Sequence, residues 1–348
     1  MVAESVDVVI GVDTHRDCHA LAVVRTRDGA LLEQARLPAN RAGYREALRL
    51  AKRLGRRRLW ALEGAGCYGA GLARVLAGCG ERVVEVERPK RERNRRRGGK
   101  SDALDALAAA REGLAGRSLA TPRASGDREA LRVLLATREG AVATRRAGLN
   151  QLRAPIVCAP DRLRERLRGL RKDALVRSCS QLRPRRTDTP QRFATLLALR
   201  SCARRVEQAS REAHELERQL ERLVNQLAPQ LLTLAGVGPI TAAQLIVAWS
   251  HPGRLKSEAA FARLAGAAPI PASSGQTVRH RLDRGGDRKL NRALHTIILC
   301  RRRRDTTTRA YITRRIAEGK SERDAIRCLK RYLARHLFRL LETTPTTT

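Results

Sequence analysis

The chain has 348 residues, of which only 3% are aromatic, and carries a formal net charge of +36 at pH 7. A protein this basic attracts polyanions, and its low aromatic content argues against a nucleic-acid surface built mainly on base stacking. No apolar run approaches the ~18 residues of a membrane span and no signal peptide is visible, so we expect a cytoplasmic protein without a membrane partner. Its eight cysteines include no CxxC pair, which argues against a zinc site or a disulfide framework.

The N-terminal part alternates strand and helix patterns. VDVVIGVD predicts a buried strand, and CHALAVVRT and ALLEQARLP predict a hairpin that turns at Asp28-Gly29. A helix at about 41–54, a strand ending at Glu63, a helix near 67–78, the strand ERVVEVE and a helix over SDALDALAAARE follow. The order β-β-β-α-β-α-β-α predicts an RNase H-like (RuvC-like) α/β domain, which we assign to residues 1–120.

Four acidic side chains occupy the positions at which such a domain would hold a metal. Asp13 and Glu63 each end a predicted strand, and Asp102 and Asp105 lie three apart on a predicted helix, where they share a face. Carboxylates brought to one point offer the hard oxygen ligands that Mg²⁺ prefers. The alternative for each residue alone is a helix cap or a solvated strand end. The four together predict a site for Mg²⁺, with Mn²⁺ as a second option, and phosphodiester chemistry.

A basic loop, RPKRERNRRRGGK at residues 88–100, separates the last predicted strand from the helix of Asp102. Its cations include Arg95, Arg96, Arg97 and Lys100. A solvated loop and a contact with a phosphate backbone are equally good interpretations of such a run.

The middle segment, residues 121–230, is predicted to be helical and rich in arginine. Its apolar residues alternate spacings of three and four over about four heptads, which is typical of a coiled coil. They are Leu199, Cys202, Val206, Ala209, Ala213, Leu216, Leu220, Leu223 and Leu227. A helical hairpin within one chain would give the same pattern, so dimerisation is favoured only modestly.

The last segment, residues 231–348, is predicted to be mostly helical. LLTLAGVGPITAAQLI predicts a helix, a turn on Gly236 and Gly238, and a helix that starts near Thr241, as in a helix-hairpin-helix whose amides approach a phosphate.

Further on, Ser273 and Ser274 precede a glycine in a short loop that basic residues follow. These cations are Arg279, Arg281, Arg284, Arg288 and Lys289. Clustered cations can stabilise the charge that develops when a hydroxyl attacks a phosphate. On local sequence alone, a simple Ser-Gly turn is the better interpretation.

Long ordered motifs in both halves carry a family resemblance. The first half contains GVDTHRDCHALAVV, LEGAGCYGAGLARVL and KSDALDALAAA. The second half contains LAGVGPITAAQLI, FARLAGAAPIPASSGQTVRHRLDRGGDRKLNRALH and RAYITRRIAEGKSERDAIRCLKRYLARHLFRLL. Along nearly its whole length the chain resembles the bacterial insertion-sequence 110 family of transposases, the DEDD-type recombinases guided by a bridge RNA.

The resemblance implies roles for individual residues. Asp13, Glu63, Asp102 and Asp105 take the metal-binding positions, and Ser274 takes that of the nucleophile in the C-terminal transposase domain. It further implies a phosphoserine intermediate, a coiled-coil linker, a dimer or tetramer, and a structured guide RNA that pairs with donor and target DNA. We therefore expect an enzyme that excises and inserts a mobile element. The alternatives are a RuvC-like junction nuclease that needs no serine, and a non-catalytic nucleic-acid-binding protein.

Overall fold

The structure is a computed structural model that describes residues 5–86, 101–116, 119–272, 280–281, 283 and 285–343. The chain forms two compact units, Met1–Ser125 and Gly126–Thr348. The first unit is a mixed α/β structure and the second is mostly helical. The finer division into three domains at residues 120 and 230 stays a prediction.

The first unit is built on one sheet. Its strands are β1 (Val8–Thr14), β2 (Cys18–Arg25), β3 (Leu31–Pro38), β4 (Arg58–Glu63) and β5 (Arg82–Val86). They lie in the order β3-β2-β1-β4-β5, with β1 antiparallel to β2, β2 antiparallel to β3, and β1-β4 and β4-β5 parallel. The predicted hairpin between β2 and β3 is confirmed, and Gly29 in its turn has a φ of 71°, which glycine adopts without strain.

Three helices cover the two faces of this sheet. They are α1 (Arg41–Leu54), α2 (Ala70–Gly78) and α3 (Asp102–Ala115). Helices α1 and α2 pack on the face that carries Trp60 and Leu62, and α3 packs on the face that carries Leu59 and Ala61. The predicted order of elements is therefore confirmed, and it is consistent with an RNase H-like domain. Helix α2 begins three residues later than predicted, because residues 67–69 form turns that the amides of Cys67 and Gly69 close onto the Gly64 carbonyl.

A buried ion pair joins β4 to the segment that leads into β5. The Glu81 carboxylate, 4% exposed, accepts hydrogen bonds from Arg58 Nε at 3.0 Å, Arg58 Nη2 at 2.6 Å and Trp60 Nε1 at 2.9 Å. The hydrogen bonds from Arg58 and then the one from Trp60 lower the pKa of Glu81, against the opposing effect of burial. The pair thus stabilises the sheet mainly when Glu81 is ionised.

Replacement of Glu81 by Gln leaves the Arg58 guanidinium without its buried countercharge. We expect the free energy of unfolding at pH 7 to fall by about 3 kcal/mol, the scale for a broken buried pair. Because the folded-state pKa of Glu81 is lowered, its stabilisation is present above the unfolded pKa of ~4.3 and is lost as the pH falls through the folded value. Chemical denaturation at several pH values measures both effects.

Asp17→Asn is the matched control, since Asp17 and its partner Arg16 are 75% and 80% exposed. It should cost less than about 1 kcal/mol. Equal stability of Glu81→Gln and the parent protein at pH 7 would contradict a role for the buried pair.

The second unit contains ten helices among its described residues. They are α4 (Asp127–Val157), α5 (Asp161–Arg168), α6 (Lys172–Ser180), α7 (Pro190–Leu227), α8 (Pro229–Leu232), α9 (Pro239–Trp249), α10 (Glu258–Leu264), α11 (Arg288–Arg304), α12 (Thr306–Ala317) and α13 (Glu322–Glu342). A two-residue pairing joins β6 (Ile270–Pro271) to β7 (His280–Arg281). Of the helices that the structure describes, none has the length and apolarity to span a bilayer.

The predicted apolar seam lies on α7 and packs against α4 of the same chain. Its members Leu199 and Val206 share a core cluster with Leu152 and Ile156 of α4. The two helices approach so closely that a side chain at Gly148 would place its Cβ 2.8 Å from Val206 Cγ2. The apolar spacing was compatible with a helical hairpin within one chain, and α4 and α7 form such a pair. A coiled coil between chains stays a prediction.

The remaining helices form a second core around α9. Every residue from Leu245 to Trp249 is buried there, among apolar side chains of α10, α11 and α13. Helix α9 begins at Pro239, two residues before the predicted start, because proline is favoured in the first turn of a helix.

Candidate metal centre

The acidic centre depends on a very close approach of α3 to β1. An added Cβ at Gly11 would lie 2.1 Å from the Ala106 carbonyl oxygen and 2.2 Å from the Ala110 nitrogen, both in the α3 backbone. Alternation along β1 places Asp13 on the same face as Gly11. Asp102 is in the first turn of α3, one turn before Ala106. The contact at Gly11 therefore brings the start of α3 to the carboxyl end of β1.

Asp13, His15 and Asp102 form the core of this centre. One ligand atom from each lies within 4.8 Å of the other two. His15 Nε2 is 3.1 Å from Asp13 Oδ2 and 3.4 Å from Asp102 Oδ1. The Asp13 side chain is only 10% exposed, whereas those of Asp102 and His15 are 35% and 40% exposed. The centre thus has a buried floor and an open side.

Glu63 and Asp105 flank this core, and neither belongs to the compact ligand set. Glu63 is the parallel neighbour of Asp13 in the sheet register, and the Thr14 hydroxyl donates to its carbonyl oxygen at 2.8 Å. Asp13, one residue before the end of β1, and Glu63, the last residue of β4, lie on the face of the sheet that α3 covers. Asp105 is on α3 three residues after Asp102, and both Glu63 and Asp105 are partly buried. The four-carboxylate ligand set stays a prediction.

His15 was not among the metal ligands predicted from the sequence. His15 and His19 have the spacing of metal ligands, but their place in a predicted strand-turn segment favoured side chains that face solvent or neighbouring residues. In the structure, His15 lies close to two of the four predicted carboxylates. His19 lies inside β2, 1% exposed, with its ring stacked on Tyr44 at 5.8 Å. Burial lowers the pKa of His19 and so favours its neutral form. The useful signal was that His15 follows Asp13 by two residues, just beyond the strand end.

A cavity of about 510 Å³ opens beside Asp102. Arg36 of β3 lines it, and the Arg36 Nη2 lies 3.8 Å from Asp102 Oδ2. The Arg36 Nε also donates to Cys18 Sγ at 3.1 Å. The hydrogen bond to Cys18, and then the charge of Asp102, raise the pKa of Arg36, which stays cationic. The centre therefore has a guanidinium at the edge of a space large enough for a phosphate group.

The donors present fit a divalent cation. Ligands that are adjacent around an octahedral ion with bonds of ~2.1 Å lie about 3 Å apart, close to the spacings of His15 to Asp13 and Asp102. Carboxylate oxygens suit Mg²⁺ and Mn²⁺, whereas an imidazole also suits Mn²⁺ and softer metals. Among the described residues, no other cluster of this kind has three such ligands. This centre is the candidate for divalent metal use.

The two glycines of the predicted phosphate-binding turn have structural roles. Gly236 has a φ of 77°, and a side chain there would place its Cβ 2.8 Å from the carbonyl oxygen of Ile297. The Gly238 amide donates to Thr241 Oγ1 at 3.0 Å. A phosphate at this turn would compete with Thr241 for that amide, so a phosphate contact here stays a prediction.

Three of the predicted basic residues lie in described parts of the second unit. Arg281 in β7 and Arg288 at the start of α11 are exposed. Lys289 is exposed too, but its Nζ pairs with Glu139 Oε2 at 2.7 Å. The other predicted residues lie outside the described residues: Arg95, Arg96, Arg97, Lys100, Ser274, Arg279 and Arg284.

Comparisons with known proteins agree with the fold and the acidic centre. Residues 10–157 match a family model for DEDD-type IS110 transposases, and residues 228–313 match the model described as the transposase IS116/IS110/IS902 family. An insertion element IS110 uncharacterized 43.6 kDa protein of Streptomyces coelicolor is 34% identical over 135 residues. That match spans 37% of this chain and 33% of the relative.

The mixed sheet and these matches define the N-terminal unit as a DEDD-type transposase domain. Within that class, the chain belongs to the IS110 family of transposases.

Replacement of Gly11 by Ala tests whether the packing of α3 on β1 builds the centre. The added methyl meets backbone atoms that cannot rotate away, so α3 must shift and carry Asp102 away from Asp13. We expect the affinity for Mn²⁺, measured by calorimetry, to fall at least about tenfold, which is 1.4 kcal/mol.

Gly78→Ala is the matched control, since a Cβ at Gly78 meets nothing within 4 Å. It should leave Mn²⁺ affinity unchanged. If Gly11→Ala does not fold, Asp102→Asn provides the same test without added volume. Full Mn²⁺ affinity in either variant would rule out this centre as the metal site.

Proposed function

We propose that the protein is a DNA transposase that cleaves and rejoins the DNA strands of a bacterial insertion sequence. The observation that carries this proposal is the Asp13, His15 and Asp102 cluster beside an open cavity, in a chain of the IS110 family. The net charge of +36 supports a DNA substrate, because it favours binding to any phosphate backbone.

The acidic centre would hold the metal and position the scissile phosphate. Asp13, His15 and Asp102 are the first ligands in this proposal, and Glu63 and Asp105 complete the set. A divalent ion bound there, Mg²⁺ or Mn²⁺, would supply positive charge next to the phosphate. Arg36 would bind a non-bridging phosphate oxygen from the edge of the cavity, where its guanidinium can offer two parallel donors.

Ser274 would be the nucleophile, on the support of the family resemblance and of its position before a glycine in a basic segment. Its hydroxyl gives up its proton as the bond from Oγ to phosphorus forms. The bond from phosphorus to one sugar oxygen breaks, and that oxygen takes up a proton. Attack by a sugar hydroxyl of a second DNA strand then reverses these bond changes, which releases the serine and joins the strands.

The same resemblance supports further partners. We infer that a structured guide RNA binds the protein and pairs with donor and target DNA, and that the protein acts as a dimer or tetramer. The seam on α7 packs within the chain, so a coiled-coil contact between chains would need other exposed positions of the long helices. The turn at Gly236 and Gly238 would act as a helix-hairpin-helix at the DNA backbone.

Substitutions at the two proposed catalytic groups separate this function from a simple nuclease. With labelled target DNA, RNA and Mg²⁺, the parent protein should yield a protein-DNA adduct that survives denaturation. Asp102→Asn should abolish cleavage. Its affinity for DNA should stay within about twofold of the parent protein, because the loss of one negative charge is small beside a net charge of +36. Ser274→Ala should lose the adduct and strand joining.

Two controls accompany this experiment. Asp161→Asn alters a side chain that is 80% exposed and should be fully active. Ser273→Ala should retain the adduct, and peptide mapping should place the nucleotide on Ser274. Undiminished cleavage by the variant that carries both Ser273→Ala and Ser274→Ala would favour a junction nuclease that uses water. Undiminished cleavage by Asp102→Asn would remove the acidic centre from the mechanism.

The RNA proposal has its own test. A structured RNA encoded beside the gene should stay bound at salt concentrations that release random RNA of equal length, because shape recognition adds contacts that counterions do not replace. Filter binding at increasing salt gives both affinities. If the structured RNA and the random RNA have equal affinities at every salt concentration, then the protein binds RNA only through nonspecific electrostatic attraction.

A further inference from the structure

Helix α13 and the start of α11 line a basic groove in the second unit. We call it the α13 groove and define it by Arg288, Arg323, Arg327, Lys330, Arg331 and Arg335. Two cavities form it, of about 610 Å³ and about 520 Å³, and both are lined by Gly266, Arg327 and Lys330. Lys330 therefore lies where the two cavities meet.

Several cations of the groove lack a partner of opposite charge. Arg327 pairs with Asp324, and Arg335 pairs with Glu258. By contrast, no carboxylate among the described residues lies within ion-pairing distance of Arg323, Lys330 or Arg331. The groove thus keeps an excess of positive charge that its own acids do not neutralise.

Lys330 is held in place rather than left to solvent. Its Nζ donates to Asn291 Oδ1 at 2.9 Å, and the Asn291 Nδ2 donates to the Ala265 carbonyl oxygen at 2.6 Å. Burial, and then the charge of Arg327, lower the pKa of Lys330. The charged form of such an ammonium, which is partly removed from water and faces another cation, is stabilised when an anion binds beside it.

Two buried nitrogen atoms in the groove walls also lack partners. His295 Nδ1 in the first cavity and Arg331 Nη1 in the second are buried and make no hydrogen bond to the described residues. Buried polar atoms without partners cost free energy. The walls of the groove therefore carry a free-energy cost in the absence of a ligand.

The length of the groove indicates a polymer. Arg323 and Arg335 are twelve residues apart on one helix, or about 18 Å at 1.5 Å per residue. One strand of a duplex carries a charge about every 3.4 Å along the axis, so a row of this length spans several phosphates. A single phosphate would use only part of this row. Among the described residues, Tyr332 is the only phenylalanine, tyrosine or tryptophan that lines either cavity, which leaves little surface for base stacking.

We propose that the α13 groove binds the phosphodiester backbone of a nucleic-acid strand, with Lys330 at the centre of the contact. The inference rests on the proposed function only in taking nucleic acid as the polyanion. It requires neither metal nor cleavage, so it can be tested in Asp102→Asn protein.

The test compares two triple substitutions with the same loss of charge. The groove variant carries Arg323→Gln, Lys330→Gln and Arg331→Gln. The control carries Arg303→Gln, Arg304→Gln and Arg309→Gln, at exposed positions outside both cavities. Binding of duplex DNA, single-stranded DNA and RNA of one sequence is measured as a function of salt. Unchanged thermal unfolding midpoints show that both variants fold.

Each lost phosphate contact should reduce the slope of log affinity against log salt by about 0.9 for a duplex and about 0.7 for a single strand. The groove variant should therefore lose roughly 2 to 3 in slope, and the control less than about 0.5. The nucleic acid with the largest loss identifies the natural ligand of the groove. Equal losses in both variants, or no loss in either, would overturn the proposal.

If the groove variant does not fold, single substitutions at Lys330 give the same information. Lys330→Gln should reduce the slope by about 0.7 to 0.9, and Lys330→Arg should restore it. A parental slope in Lys330→Gln would also overturn the proposal.

Discussion

The contact between α3 and β1 at Gly11 is the constraint on which the acidic centre depends. A helix backbone can lie directly on a strand only where the strand has no side chain, and the small residues of α3 extend this contact to Gly113, whose Cβ would lie 2.7 Å from that of Ala61. The helix is thereby fixed in both distance and direction. Its first turn, with Asp102, comes to the strand end that carries Asp13. A larger residue at Gly11 would separate the two carboxylates without altering either one.

Charge is distributed differently at the two functional regions. In the first unit, a buried strand end gathers carboxylates around His15, and Arg36 lies at the open edge, so the centre can receive a cation and then a phosphate. In the second unit, α13 presents a row of cations of which Lys330 is held by Asn291. In the proposed function, the α13 groove would bind the DNA backbone, and the acidic centre would then act on DNA without supplying the affinity, since phosphate contacts provide a large share of binding free energy.

The order of the N-terminal strands and helices could be predicted from the sequence. The apolar patterns of β1 and β4 and the helical spacing in α3 depend only on neighbouring residues. The sequence also indicated that Asp13 and Asp102 would meet. The position of the His15 side chain depends on the path of the chain after β1 and on the distance between α3 and β1. Neither can be predicted from a local sequence pattern. The seam on α7 shows the same limit: its spacing predicts an apolar partner helix, but only the fold shows that α4 of the same chain is that partner. Likewise, the glycine pattern predicted that the Gly238 amide would be free to bind a phosphate, but in the fold this amide donates to the Thr241 hydroxyl.

The most direct test of a single metal centre is a crystal structure of the protein with Mn²⁺, phased on the anomalous signal of the metal. We expect an anomalous peak within about 2.3 Å of carboxylate oxygens of both Asp13 and Asp102, with His15, Glu63 and Asp105 completing the ligand set. A peak at another site, or an ion bound to only one of these two aspartates while α3 still packs on Gly11, would contradict the account.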